Sequence, residues 1–234
     1  MQRTVQILVA VWVLLAHTAF AELPAHMRKS IEKGAEELAA VRVSSRQFLL
    51  DRFDKKLEIT RASTKQSEAA RTQLIASLEA ERALFAKQES LPFSPSMRSD
   101  LIAYFGKVKK AENSLAKAYD NGIEYYSRKS RTDDGVALSA EKKKALEPKV
   151  VAVWALSLEG DPEHAYNRTL KSDGTTQNGS WTIDEDKLVL RSPNAAAPGG
   201  VWILTCTVKE DGRHLRAVNQ QGAKFEGKLL IDPR

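Results

Sequence analysis

The chain has 234 residues, of which 42% are hydrophobic, 28% charged and 7% aromatic, and its formal net charge at pH 7 is +6. This balance is that of an ordinary globular protein of one or two domains. It excludes a collagen, a wholly disordered chain and a multi-span membrane protein. The single cysteine excludes a disulfide framework within the chain.

The first 21 residues have the pattern of a secretory signal peptide. Arg3 supplies a positive charge, residues 7–16 form an apolar run, and Ala19-Phe20-Ala21 fits the small-x-small cleavage rule, which leaves Glu22 as the mature N-terminus. The alternative is an uncleaved anchor, but the apolar run is well short of the roughly 20 residues that span a bilayer. We therefore predict a periplasmic or extracellular protein with no membrane span after cleavage.

The rest of the chain divides into two regions of different composition. Residues 22–149 are rich in Ala, Lys, Glu, Arg and Leu and contain no Trp, whereas residues 150–234 bring three Trp and recurrent Gly-containing turns. The boundary is predicted near Pro148, because proline ends a preceding helix. Residues 22–149 hold 25 basic and 19 acidic residues, so the basic character belongs to this helical region.

Residues 22–149 are predicted to form an antiparallel helical hairpin or coiled coil. Apolar residues recur at three- and four-residue steps, as on one face of a helix. Breaks are expected at residues 90–96, which contain two prolines, and at residues 131–135; Ser96 and Asp100 suit the start of the next helix. The main apolar positions are Met27, Ile31, Ala35, Leu38, Leu49, Phe53, Leu57, Leu74, Leu78, Phe85, Leu101, Phe105, Val108, Leu115, Tyr119, Ile123 and Tyr126.

A weak internal repeat crosses this helical region. Residues 53–58 match residues 119–124 at an offset of 66, and residues 78–82 match residues 138–142 at an offset of 60. One interpretation is that each half is a long helix, a turn and a returning helix, the returning helices being residues 66–89 and 136–146. The alternative is chance similarity between two helices rich in Ala, Glu and Lys.

Residues 150–234 alternate between apolar and polar positions with period two, which predicts strands. Turn signals such as Asn178-Gly179 and Asp211-Gly212 separate seven of them. The predicted strands are 150–158, 165–171, 180–184, 187–191, 200–209, 213–219 and 223–231. Six or seven sequential antiparallel strands in about 85 residues favour a small all-β meander closed into a barrel or a tight sandwich, so the whole chain is predicted to be α+β. We expect this domain to fold alone.

The C-terminal region resembles small lipocalin-like β-domains. These domains begin on a Trp strand and repeat a layout of DG turn, G-x-W and hydrophobic hairpin. The resemblance is carried by Trp154, Thr169-Leu170, Ser172-Asp173-Gly174-Thr175, Gly179-Ser180-Trp181, Leu188-Val189-Leu190, Asp211-Gly212, Asn219, Gly222, Phe225 and Gly227. The preceding helices are similar to regions of uncharacterised exported bacterial proteins that pair a helical hairpin with such a domain. The resemblance implies no established activity.

No enzyme signature, cofactor motif or metal-ligand spacing is found, so no catalytic or metal residue is predicted. The histidines, His17, His26, His164 and His214, lack the spacing of a zinc site. Asp161, Glu163 and His164 cluster in a turn-like segment that suits a solvated loop better than a metal site. Cys206 lies in an apolar strand and is predicted to be a core residue rather than a nucleophile.

The ligand-binding candidates are Trp154, Trp181, Trp202 and Asn219. An exposed indole face stacks on a sugar ring, although three Trp in so small a domain are also typical of a core. Two Lys-rich segments, residues 107–112 and 141–146, could meet an anionic surface. The interspersed acidic residues favour an ordinary solvated face instead, and nucleic acid is not favoured as a partner.

The leading hypothesis is an exported, non-enzymatic binding or interaction module. The helices would act as a spacer or self-association element, and the β-domain would bind a small molecule, a carbohydrate or a protein. The alternative is a hydrolase whose site is dispersed on the β-domain. A homodimer through the helices is also expected, because they carry more large aromatic residues than one seam needs: Phe48, Phe53, Tyr104, Phe105, Tyr119, Tyr125 and Tyr126.

Overall fold

The computed structural model describes residues 23–230, in which four helices are followed by one curled antiparallel sheet of seven strands. The fold is α+β, as the sequence predicts. The predicted signal peptide and its cleavage site lie outside the described residues, as do residues 231–234. Among residues 23–230, no helix has the length and hydrophobicity needed to cross a membrane.

The helices follow the predicted order, and prolines separate the second from the third. Glu89 takes a left-handed conformation, with φ of 57°, and its backbone N–H donates to the carbonyl of Phe85, which ends the second helix. Ser96 does not cap the third helix as expected, because it lies inside the 3₁₀ turn Pro95–Met97 that precedes it. The helices are α1 (Ala25–Ala62), α2 (Glu68–Gln88), α3 (Arg98–Arg128) and α4 (Thr132–Ala145).

The last helix, α4, begins earlier than the sequence predicts. It starts at Thr132 rather than near residue 136. Asp133 and Asp134 lie in its first turn, where a negative charge interacts favourably with the helix dipole. The expected break therefore shrinks to the few residues between Arg128 and Thr132.

Seven strands are present where seven are predicted, and only the second differs by more than two residues. It begins at Asp161, which pairs with Leu158, so residues 161–164 belong to a strand rather than to a loop. Gly160, with φ of 87°, permits the tight turn that brings these residues into register. The strands are β1 (Val150–Leu158), β2 (Asp161–Lys171), β3 (Ser180–Asp184), β4 (Lys187–Pro193), β5 (Val201–Val208), β6 (His214–Asn219) and β7 (Lys224–Leu230).

The strands form a single sheet with the order β2-β1-β7-β6-β5-β4-β3, in which all the pairs are antiparallel. The sheet is curled into a half-barrel, so it is neither a closed barrel nor a sandwich. Its edges are β2 and β3. The segment between them contacts both edges: the N–H of Lys171 donates to the carbonyl of Thr175 at 2.9 Å, and Thr175 forms an isolated bridge with Ser180.

The described chain forms two compact units, and their division differs from the predicted boundary near Pro148. One unit combines Ser44–Gly106 with residues 148–230, and the other combines residues 23–43 with Lys107–Glu147. The boundaries therefore fall inside α1 and α3. The physical reason is the apolar concave face of the sheet, which residues 44–106 cover.

The core of the sheet-containing unit mixes helix and strand residues. Phe93, from the segment between α2 and α3, lies 6.0 Å from the rings of both Trp154 and Trp181. The N–H of Leu91 donates to the carbonyl of Val151 at 3.2 Å, which ties this segment to β1. Helical residues of the same core are Leu49, Phe53, Leu57, Leu78, Phe85 and Leu101.

The other unit has a core of its own, made only of helical residues and of the residue that precedes α1. Arg42 forms an ion pair with Glu112 at 3.0 Å beside this core. The buried residues of this core are Leu23, Ile31, Leu38, Ala111, Leu115, Ala118, Tyr119, Tyr126 and Leu138.

Matched residues of the weak repeat occupy equivalent positions in the two units. Asp54 accepts hydrogen bonds from Arg82 at 2.7 and 3.0 Å, and its repeat equivalent, Asp120, accepts one from Lys142 at 2.7 Å. Two further positions are buried in both halves of the repeat. Phe53 is equivalent to Tyr119, and Leu78 is equivalent to Leu138. The same contacts at both offsets favour a true repeat over chance similarity.

This architecture favours the opposite of the expectation that residues 150–234 fold alone. The isolated fragment would expose to water the concave face that Phe93 and the helices cover, and burial of such a face is the main stabilising contribution in a small domain. We expect the fragment to lack a cooperative thermal transition by near-UV circular dichroism, whereas residues 22–234 unfold cooperatively. A sharp transition in the fragment would show that the sheet supplies enough of its own core.

Candidate functional site

Two of the four predicted ligand-binding residues lie in the core. Trp154 is fully buried and Trp181 is 4% exposed, so neither offers a ring face to a ligand. The indole N–H of Trp181 donates to the carbonyl of Lys171 at 2.8 Å. These two residues hold the sheet to the segment that contains Phe93.

Asn219 stabilises a turn. Its side-chain oxygen accepts hydrogen bonds from the backbone N–H groups of Gln221 and Ala223, at 3.0 and 2.8 Å, and so shapes the turn between β6 and β7. The carboxamide is occupied by these bonds, which gives Asn219 a structural role.

Trp202 is half-buried and takes part in the strongest candidate site. Its ring lies 5.6 Å from Phe225, edge to face, and the guanidinium carbon of Arg168 lies 5.8 Å from the ring centre. Arg168 also lies 5.2 Å from the centre of the Tyr166 ring. In sheet order β2 and β5 are separated by three strands, which would be about 19 Å in a flat sheet. The curl of the sheet therefore brings these side chains together on its concave side.

A loop between β2 and β3 completes this group, which we call the Arg168 cluster: Tyr166, Arg168, Asn178 and Trp202. The side-chain oxygen of Asn178 accepts a hydrogen bond of 2.6 Å from Arg168. Gly179 allows the loop to lie against β4, because a Cβ at this position would be 1.9 Å from the carbonyl oxygen of Arg191. Any larger residue here would force the loop or β4 to shift.

The Arg168 cluster contains buried polar atoms without partners. Within the described chain, Nε of Arg168 and the hydroxyl of Tyr166 are shielded from solvent and make no hydrogen bond. Burial raises the pKa of Tyr166, an effect that the nearby Arg168 partly offsets. Buried polar groups in folded proteins are nearly always paired, so unpaired ones mark a place where a ligand can supply the partner.

Sequence reasoning missed Arg168 and Tyr166. The signal that could have found them is the period-two alternation of a strand. Leu170 is fully buried, and Arg168 and Tyr166, two and four residues before it, face the same side of the sheet. An arginine and a tyrosine on the inward face of a strand are unusual, and this exception pointed to a site.

His164 and His214 lie in β2 and β6, next to hairpin turns, and His26 lies in α1. His164 contacts Asp161 at 2.7 Å and His214 contacts Asp211 at 2.6 Å, each three residues away. Burial raises the pKa of Asp211, but the hydrogen bonds from His214 and two backbone N–H groups outweigh it and hold the pKa below its usual value. Within residues 23–230, no three His, Cys, Asp or Glu side chains come together as metal ligands.

Cys206 is a core residue, as predicted. It is fully buried in β5, and burial raises the pKa of its thiol to about 12. The thiolate, which is the nucleophilic form, is therefore scarce at neutral pH.

Glu81 is a buried carboxylate that holds the segment between α2 and α3. It accepts hydrogen bonds from the N–H groups of Phe93 and Ser94, both at 3.1 Å, and from the Ser94 hydroxyl at 2.5 Å. The turn between β5 and β6 covers it closely, since a Cβ on Gly212 would lie 2.0 Å from Oε1. Burial raises the pKa of Glu81 to about 7, and the negative charge of Asp211 adds to the effect.

An open groove of about 780 Å³ lies on the same unit. Arg98, beside it, donates a hydrogen bond to the backbone carbonyl of Asp186. Charges of both signs line the groove, together with the exposed Ile102, so it has no single ligand chemistry.

Comparison with protein-family models, curated proteins and solved structures finds no match to this chain. The resemblance to lipocalin-like domains therefore stays a hypothesis.

The raised pKa of Glu81 predicts how stability depends on pH. The folded protein binds this proton more tightly than the unfolded chain, so the contribution is fully present below pH 4.5 and is lost as the pH rises through about 7. The loss amounts to about 3 kcal/mol at most. We expect Glu81→Gln to flatten the fall in unfolding free energy between pH 4.5 and 7, measured by urea denaturation. Glu79→Gln, exposed on the same helix, is the matched control, and equal slopes in Glu81→Gln and wild type would contradict the assignment.

Proposed function

We propose that this protein is an exported, non-enzymatic binding module whose β-sheet holds a ligand at the Arg168 cluster. One observation carries the proposal: a half-buried guanidinium lies between two aromatic rings and has no carboxylate within 4.0 Å among the described residues. Taking a charge partly out of water without an opposite charge beside it lowers stability, and the buried Nε without an acceptor adds to this effect. A ligand that supplies the missing acceptor would offset it. Export is supported by the signal-peptide pattern of residues 1–21.

The hydrolase alternative has less support than the binding module. A hydrolytic site on the sheet would need a pocket with convergent carboxylate and histidine groups. His164 and His214 instead contact aspartates three residues away in the same hairpins, and helical side chains and Phe93 cover much of the concave face.

The helical region is proposed to act as a spacer built from two antiparallel hairpins, α1 with α2 and α3 with α4. The equivalent ion pairs Asp54–Arg82 and Asp120–Lys142 support this arrangement, since each joins a long helix to the helix that follows it. Exposed ion pairs contribute little to stability, about 0–1 kcal/mol each, so they indicate arrangement rather than strength.

The binding proposal is tested by a ligand screen. We expect at least one compound from a library of neutral and charged sugars, metabolites and short peptides to raise the thermal midpoint of residues 22–234, because a ligand that binds only the folded state stabilises it. Trp202→Ala removes one wall of the cluster and should abolish the shift. Val218→Ala, on the exposed face of β6, is the control and should keep it. If no compound shifts the midpoint, or if Trp202→Ala keeps the shift, the proposal fails.

The homodimer expectation is tested separately. The aromatic residues on which it rests include Phe53, Tyr119 and Tyr126, which are buried within the chain, and Tyr104 and Phe105, which pack against the sheet-containing core. This burial favours the monomeric alternative. We expect light scattering at micromolar concentration to give the mass of one chain, and a mass of two chains that falls on dilution would restore the homodimer.

A further inference from the structure

The Arg168 cluster presents hydrogen-bond donors that lack acceptors. Nε of Arg168, the hydroxyl of Tyr166 and Nε1 of Trp154 are all buried without a partner in the described chain. Trp154 is the cross-strand partner of Arg168, and Leu156 is that of Tyr166, so these side chains share the concave face. Arginine and tryptophan nitrogens only donate, so the group that completes this site must be an acceptor.

The charge of the cluster restricts that acceptor further. Arg168 is the only charged residue of the cluster, whose other members are Tyr166, Asn178 and Trp202. Some half-buried arginines have a carboxylate partner, as Arg52 has in Asp100 at 2.6 Å, and others donate to a neutral oxygen, as Arg46 does to the carbonyl of Ala86 at 2.7 Å. Arg168 differs from these in that its Nε is buried without an acceptor in the described chain. Asn178 offers Arg168 only a neutral oxygen. One unpaired guanidinium matches a single negative charge, which a carboxylate has at neutral pH.

We infer that the Arg168 cluster binds a carboxylate group of a small ligand. The guanidinium is a planar fork of donors that fits the two oxygens of a carboxylate. The hydroxyl of Tyr166 donates to the same group, and the half-buried ring of Trp202 contacts the adjoining part of the ligand. This inference rests on the proposed binding function and names its ligand chemistry; a dianionic phosphate or sulfate would leave one charge uncompensated.

The test is a titration of residues 22–234 with matched pairs of compounds, followed by tryptophan fluorescence. D-Glucuronate is compared with D-glucose, and N-acetyl-dialanine with its C-terminal amide. Each pair differs in the carboxylate, and the two pairs distinguish a sugar acid from a peptide terminus as its source. Inorganic phosphate and sulfate are tested as non-carboxylate anions.

We expect at least one carboxylate to bind, and its neutral partner to bind at least about 10-fold more weakly, as loss of a charge-assisted hydrogen bond implies. Arg168→Gln should weaken carboxylate binding about 10- to 100-fold, and Tyr166→Phe by a smaller factor. Arg216→Gln removes an equal charge from the outward face of β6 and should leave binding unchanged.

Three results would overturn the inference: no carboxylate binds, phosphate or sulfate binds more tightly than both carboxylates, or Arg168→Gln leaves carboxylate affinity unchanged. If a neutral compound binds and Trp202→Ala abolishes its binding, the binding function stands and only the carboxylate assignment fails.

A second measurement guards against misfolding of the variant. Arg168→Met keeps the bulk of the side chain and removes the unpaired charge, so we expect its thermal midpoint without ligand to be equal to or higher than that of wild type. Saturating carboxylate should raise the midpoint of wild type alone. A lower midpoint in Arg168→Met without ligand would mean that Arg168 stabilises the fold, and would overturn its assignment as a binding residue.

Discussion

Burial of the concave face of the sheet is the constraint on which the rest of the structure depends. In a seven-stranded half-barrel the concave apolar face is covered neither by a second sheet nor by closure of the barrel, so another part of the chain must shield it from water. The chain covers it with α1, α2, the start of α3 and above all Phe93, which contacts Trp154 and Trp181. Phe93 reaches this position on a non-helical segment whose N–H groups need acceptors, and Glu81 supplies them. A buried carboxylate is thus retained because it satisfies buried backbone groups.

The sequence predicts most helices and strands well, because each depends on a pattern within a short segment of neighbouring residues. The seven strands and the break at residues 90–96 follow from period-two alternation, turn residues and proline. The start of β2 is missed, because Asp161-Pro162-Glu163-His164 reads as a turn while its backbone pairs with β1. The compact units are missed for a different reason. The helical residues that cover the sheet are determined by contacts between residues far apart in sequence. The apolar face of a helix can be recognised in the sequence, but the surface that it packs against cannot.

The candidate site also depends on contacts between residues far apart in sequence. The three tryptophans of residues 150–234 are the most conspicuous ligand candidates in the sequence, but Trp154 and Trp181 are core residues. Arg168 and Tyr166 are ordinary residues whose significance appears only when the curl of the sheet brings β2 opposite β5. Under the proposed function, an arginine on an inward face, held by an asparagine and two rings, is expected to lower the stability of the protein without ligand. The proposed ligand, with an acceptor and a negative charge, would offset that loss of stability by pairing with the guanidinium.

The two halves of the helical repeat pack against different surfaces: one against the sheet, and the other helix against helix. The side chains at equivalent positions differ accordingly. Phe85 packs on Phe53 and Tyr104 beside the sheet, whereas the residue 60 positions later, its repeat equivalent, is Ala145. A wide curled sheet leaves space that large rings fill. Helices that pack only on one another approach more closely and need small residues: a Cβ on Gly122 would lie 2.7 Å from the Leu138 side chain. The same pattern of ion pairs therefore occurs in a layer that covers the sheet in one unit and in a close helical bundle in the other. The size of the buried side chains, rather than the ion pairs, sets the packing distance within each unit.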